Sequence, residues 1–230
     1  MWLCAGQQAR LSVIKEPSGD GHRMKLAGVV LLLLVPLLAA DGVVSARGQF
    51  MGAFWASERD SKVAHVAGHR RQWATMGIVW VAMLAVTTTG ISAFGVLLSR
   101  SGEGILVSIA LGLFVLGVAS MLAAAFVLFG SVGVAAQARR SAGTTPGWLE
   151  PMWAAVTWAE ATYIVLSSLA YVVFGIGMFR AGFPATWVAW ASVAIGTVSV
   201  VGMIAMPARF GFPQLPLLVP IVLGFALMTS

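Results

Sequence analysis

The chain has 230 residues, 59% of them hydrophobic and only 10% charged, with a mean hydropathy of +0.92. Soluble domains carry about 25% charged residues, so a water-soluble fold of this size lacks the charge to cover its surface, and lipid is the solvent that fits. The net charge of +6 would suggest nucleic acid in a soluble chain. Here the basic residues lie between long apolar runs, where they set membrane topology, and no nucleic-acid partner is expected. A single cysteine, Cys4, excludes an intrachain disulfide and any cysteine-based zinc or iron–sulfur site.

Residues 1–23 differ in composition from the rest of the chain and read as a doubtful N-terminal extension; residues 24–230 read as a single membrane domain. Met24-Lys25 followed by LAGVVLLLLVPLL is a normal start for a first membrane segment. The same stretch also fits a cleaved signal peptide, with Val44-Ser45-Ala46 as the small-residue site. Crossing the hydrocarbon layer takes about 20 mostly apolar residues. Six stretches approach that length, at about 26–44, 75–99, 105–136, 152–178, 185–206 and 214–228. The sixth is short and holds Pro216 and Pro220, so it is expected to be tilted, kinked or only partly inserted. Backbone groups in lipid must bond within their own segment, so these are helices rather than strands. The predicted fold class is an all-α, polytopic transmembrane helical bundle.

Three of the connections are short, each with Gly or Pro: 100–104, 179–184 and 207–213. They leave no room for a soluble domain and force neighbouring helices antiparallel. Trp73, Trp148, Trp153 and Trp187 fall near span ends, where amphipathic rings favour the headgroup level. The segment 50–73 mixes Phe54, Trp55, Val63 and Val66 with Arg59, Lys62, Arg70 and Arg71. It fits a basic amphipathic helix lying on the membrane and touching anionic lipid, with a plain loop as the alternative. His65 and His69 share a face if helical, but Val66 stands where a metalloprotease helix has its Glu, and no third ligand is evident. No metal site is expected.

The second and fourth spans align without a gap at an offset of 80. Trp73-Ala74 matches Trp153-Ala154, Phe94-Gly95 matches Phe174-Gly175, and Arg100 and Gly102 match Arg180 and Gly182. The third and fifth spans continue at an offset of 84, with Ser108 and Gly112 over Ser192 and Gly196. An offset of two spans keeps orientation, so the pattern predicts a parallel repeat of a helical hairpin. The Ser/Gly pairs are small-xxx-small motifs that let helices approach closely, within the chain or in a homo-oligomer.

Glu160 is the only ionisable residue well inside any span from the second onward. A charge at that depth is expensive and by default faces the bundle interior or a wet cavity. At 100° per residue, Thr157, Glu160, Tyr163, Ser167 and Tyr171 form one stripe, which should point inward and supply Glu160 with a hydroxyl from another helix. Burial favours the neutral carboxylic acid, able to donate a hydrogen bond. A proton relay or a contact to a polar substrate is one reading; a purely structural carboxyl is the other.

Absences narrow the rest. No His follows His69, so haem held by histidines inside the bundle is excluded, and no Lys follows Lys62, so a retinal Schiff base in a late helix is excluded. There is no G-x-S-x-G with a later His and no Walker A sequence. No cofactor is expected, and no catalytic constellation marks an enzyme. The run YVVFGIGMFRAGFPATWVAWASVAIG, in which a helix ends in G-x-G before a short R-x-G-x-P turn and a Trp-bearing helix, resembles uncharacterised six-helix membrane proteins common in actinobacteria. That resemblance implies a multi-pass inner-membrane protein and no known activity.

Two functions are therefore expected to compete: a small transporter or channel-like protein with Glu160 in a polar intramembrane site, and a structural or regulatory partner acting through helix–helix association. The expected localisation is a cell membrane, the bacterial inner membrane given the Arg-over-Lys and Ala/Gly/Val-rich composition. Segments 45–74, 135–151 and 207–213 hold eight basic residues; the opposite side holds six, or three if Met24 is the start. The 45–74 side is thus expected in the cytoplasm. Reporter fusions after Gly68 and after Gly182 should read out opposite sides of the membrane; the same side for both would sink the topology.

Overall fold

Without water to satisfy them, backbone N–H and C=O groups close on their own segment, and every element of the structure, a computed structural model that describes residues 20–46, 59–183, 185–205 and 215–229, is helical. The helices are α1 (Asp20–Leu32), α2 (Leu34–Ala46), α3 (Arg59–Gly68), α4 (Arg70–Leu98), α5 (Gly104–Ala142), α6 (Leu149–Arg180), α7 (Thr186–Ala205) and α8 (Leu218–Thr229). Residues 1–19, 47–58, 184, 206–214 and 230 lie outside the described residues, and with them most of the doubtful extension, Phe54 and Trp55, and Arg209. Four helical runs are long and apolar enough to cross a membrane: Gly21–Ala46, Arg70–Ala142, Leu149–Arg180 and Thr186–Ala205. The second run is two helices, because a tight π-type turn at Ser99–Glu103 folds α5 back along α4. The shorter α8, 12 residues long, spans only about 18 Å.

Proline explains the division of the first run. Pro36 has no N–H to give, and its ring crowds the carbonyl four residues back, that of Leu32. The helix is interrupted there: Leu33 N–H is shared between the Val29 and Val30 carbonyls at 3.2 Å each.

Close backbone approach builds the bundle. A Cβ on Gly196 of α7 would sit 2.5 Å from the Ser168 carbonyl oxygen of α6, and one on Gly117 of α5 would sit 3.2 Å from the Ser167 nitrogen of α6. At the other side of the molecule, Gly28 of α1 and Gly224 of α8 bring those two helices together, while Leu31 fills the space beside Gly90 of α4. The buried core runs through these seams, with Phe114, Tyr163, Tyr171 and Phe174 at its centre.

The two hairpins, α4–α5 and α6–α7, share their turns. Gly102 (φ 97°) and Gly182 (φ 67°) both adopt the left-handed backbone that favours glycine, and an Arg180–Glu103 ion pair of 3.5 Å joins the turns. Matched residues Phe94 and Phe174 meet each other, ring centroids 6.1 Å apart. The seams differ. Ser192 and Gly196 are buried against α6, whereas their counterparts Ser108 and Gly112 are exposed and nothing lies within 4 Å of a Cβ placed on Gly112. The matched tryptophans also diverge. Trp73 is buried and donates its indole N–H to the Phe129 carbonyl at 3.1 Å. Trp153 is half-buried under Lys62, whose Nζ lies 5.3 Å from the ring centroid.

The segment expected to lie on lipid is helical from Arg59 as α3, but its apolar face is covered by protein. Val63, Val66 and Ala67 pack against Trp73, Met76, Val132, Ala135, Ala136 and Leu149. Among the described residues of this segment, the apolar stripe is thus satisfied by the ends of α4, α5 and α6 rather than by acyl chains.

Gly196→Ala should lower thermal stability in detergent by about 1–3 kcal/mol, because its Cβ meets backbone that cannot step aside. Gly112→Ala should be neutral or gain up to about 1 kcal/mol, as a helical Gly→Ala change in open space does. Equal effects at the two positions would show that the seams are packed alike.

Candidate functional site

Hydroxyls in the apolar helices mostly satisfy themselves. Thr87, Thr88 and Thr89 donate to the carbonyls of Met83, Leu84 and Ala85 at 2.7–2.9 Å, and Ser192 and Ser199 to those of Val188 and Ile195 at 2.8 Å. A side chain with one carbon between Cα and oxygen can reach the carbonyl four residues back. Longer polar side chains cannot, and those left over define the site: Asp41, Trp80, Glu160, Tyr163 and Tyr171.

Four of the five form one layer. The Trp80 indole N–H of α4 donates to Asp41 Oδ1 of α2 at 3.1 Å. Trp80 and Tyr163 of α6 then line the same small cavity, closed by Met83, Leu84, Met121 and Leu217. Its volume of about 10 Å³ is close to the least that holds one water molecule. Glu160 stands one turn from Tyr163 along α6, toward the end of the bundle where α3 docks. The antiparallel register agrees: Asp41 lies five residues from the end of α2, and Trp80 ten residues into α4, from that same end. Two carboxylic acids far apart in the chain, at positions 41 and 160, thus share one depth.

Of the stripe read from the sequence, Tyr163, Ser167 and Tyr171 are buried, Glu160 is half-buried, and Thr157 is exposed. Thr157 is therefore corrected out of the inward face, and its hydroxyl bonds the Trp153 carbonyl at 3.1 Å. Ser167 likewise donates to its own helix, to the Tyr163 carbonyl at 2.5 Å. The hydroxyl expected to bond Glu160 from another helix is not found: among the described residues its carboxyl has no hydrogen-bond or ionic partner. Tyr171, 1% exposed and packed on Phe114 at a centroid distance of 5.8 Å, has a buried hydroxyl with no partner among the described residues, as has Ser168. Asp41 escapes a sequence reading confined to the second and later spans, although an acid within LLAADGVV is as conspicuous as Glu160. His65 of α3 and His69, just beyond its end, do bring their rings together, centroids 4.5 Å apart, and His69 Nδ1 is held 3.0 Å from the His65 carbonyl. Among the described residues no group of three His, Cys, Asp or Glu side chains is placed to hold a metal ion.

Chemically, the layer offers two carboxyls that can each take up and release a proton, an indole donor fixed on one of them, and a phenol beside the cavity. Helices of this length and apolarity give the chain its membrane character. Comparison with protein-family profiles, with curated proteins and with solved structures found no match.

The orphaned hydroxyl yields a stability test. Tyr171→Phe removes a buried, unpaired O–H and should raise stability by about 1–3 kcal/mol, whereas Trp80→Phe strips Asp41 of its donor and should lower it by about as much. Unfolding midpoints in detergent read both. Destabilisation by Tyr171→Phe would overturn this account of the core.

Proposed function

We propose that the chain is a multi-pass integral protein of the cell membrane that acts as a small transporter or channel-like protein, passing protons through the layer of Asp41, Trp80, Tyr163 and Glu160. The observation that supports this most is that two carboxyls from separate helices lie at one depth, Asp41 bonded to Trp80 and Glu160 one turn from Tyr163, the two residues that line the same cavity. Ionisable side chains are kept inside a membrane chiefly where they carry protons, ions or polar substrates. Glu160, with no partner among the described residues, is the group that exchanges a proton; Asp41, anchored by Trp80, is the fixed end of the relay. The reading fits the likeness to six-helix membrane proteins, and in it the α3 end faces the cytoplasm. No catalysis and no cofactor enter it.

The rival reading is association through helix faces without transport. It is favoured by the exposed Ser108/Gly112 seam on α5, whose counterpart in the second hairpin is buried by a helix.

The two part at Glu160. In vesicles loaded with a pH-sensitive dye and subjected to a proton gradient, the wild-type chain should dissipate the gradient. Glu160→Gln and Asp41→Asn should slow that flux by at least about tenfold, since an amide cannot carry the proton. Glu160→Leu should leave thermal stability nearly unchanged, because an interhelical bond averages only about 0.6 kcal/mol in membranes and here none is formed. Wild-type flux in Glu160→Gln would remove Glu160 from the site and leave association as the better reading.

A further inference from the structure

Tyr171 is a buried polar group that the layer of Asp41, Trp80, Tyr163 and Glu160 does not use. It is 1% exposed, its ring is set against Phe114, and its hydroxyl has no partner among the described residues. Ser168, one turn before it on α6, is 0% exposed, and its hydroxyl is likewise unpartnered among the described residues. The adjacent Ser167 folds back onto the Tyr163 carbonyl, so Ser168 departs from the habit of its own helix. Side chains on a helix lean toward its N-terminus, which lays Tyr171 over the turn that holds Ser168. Two unpartnered hydroxyls thus belong to one buried turn.

The first hairpin supplies an internal comparison. Eighty residues earlier, the places of Ser168 and Tyr171 are taken by Thr88 and Ile91. Thr88 donates to the Leu84 carbonyl at 2.7 Å, and Ile91 is buried with no polar side-chain atom to satisfy. Packing a helix at these places does not call for an unpaired hydroxyl. Such a group costs stability, and proteins keep costs of this kind chiefly at functional sites. Position points to the same use. α6 runs away from the α3 end, and Tyr171 lies about 16 Å beyond Glu160 along it, toward the turns at Gly102 and Gly182. The hydrocarbon layer is about 30 Å thick, so a path from Glu160 to the other face needs a polar group on this stretch.

Resting on the proton-passing reading above, we propose that the hydroxyls of Ser168 and Tyr171 hold one water molecule between them and carry the proton onward from Tyr163. A buried water takes roughly two to four polar partners, and each hydroxyl can both donate and accept. In each passage Glu160 gives its proton to water at the Tyr163 cavity and regains one from the α3 end. The phenol oxygen of Tyr171 accepts the travelling proton on a lone pair while its own O–H proton passes to the water shared with Ser168. One O–H bond forms and one breaks, so the phenol is neutral before and after.

The full chain in dye-loaded vesicles under a proton gradient, with unfolding midpoints in detergent beside it, tests this. Tyr171→Phe keeps the ring and loses the oxygen; it should slow the flux by at least about tenfold while its unfolding midpoint rises. A merely structural role would move flux and stability in the same direction. Ser168→Ala should slow the flux about threefold or more, because the water loses one of its two partners. Thr88→Ala, at the matched place where the hydroxyl serves its own helix, should change the flux by no more than about twofold. Wild-type flux in Tyr171→Phe, with Glu160→Gln slowed, overturns this station and leaves the path through Glu160 standing. Absence of flux in the wild-type chain overturns both. A Tyr171→Phe chain that unfolds at a lower temperature, or fails to fold, also overturns the station, since the hydroxyl is then a structural partner. Should Ser168→Ala pass protons at the wild-type rate, the shared water is overturned.

Discussion

A polar atom inside hydrocarbon has nowhere to turn but the protein, and the arrangement of this chain depends on how far each polar side chain can reach. The backbone coils because only coiling closes its own hydrogen bonds. Serines and threonines then fold back on the same helix, as Thr87, Thr88, Ser167 and Ser192 do, and so become neutral passengers that can face lipid or protein. Carboxylates, indoles and phenols hold their polar atoms too far out for that solution. They must find a partner on another helix, as Asp41 and Trp80 find each other and Trp73 finds the Phe129 carbonyl, or, among the described residues, be left over, as Glu160 and Tyr171 are. The site is the residue of this sorting.

Much of the fold was written in hydropathy. Runs of apolar residues, the turn glycines at 102 and 182 and the matched phenylalanines at 94 and 174 all carry local signals, and each is recovered in the structure. The misreadings have a common cause. An amphipathic stripe such as Val63, Val66 and Ala67 states only that one face avoids water. It does not say whether lipid or a neighbouring helix covers it, and here the overhanging ends of three helices do. Trp73 is subject to the same ambiguity, since a ring suited to the headgroups is equally suited to a buried N–H donor facing Phe129. Within the site, Glu160, Tyr163 and Tyr171 stood out by spacing on one helix. Asp41 became meaningful only when tertiary contact set it against Trp80, 39 positions away.

The repeat in the sequence survives in the turns and fades in the seams. Gly196 and Gly112 occupy matching places, yet one is packed against a carbonyl and the other is open. The difference is geometric: α6 is held between α5 and α7, whereas α4 shares its surface with α1, α2 and α5. Identical small residues therefore bury different neighbours once the rest of the bundle has assembled.

The length of α5 has a consequence of another kind. At 39 residues it extends about 58 Å, and it carries no charge before Arg139, whereas a bilayer's hydrocarbon layer is about 30 Å thick. The excess apolar surface around Val132, Ala135 and Ala136 is what α3 covers. Acyl chains and α3 thus compete for the same stretch of helix, and hydrophobic mismatch sets the balance. A thicker membrane reaches further up α5 and pushes against α3; a thinner one leaves it seated. Bilayer thickness becomes a variable to which the docking of α3 must respond.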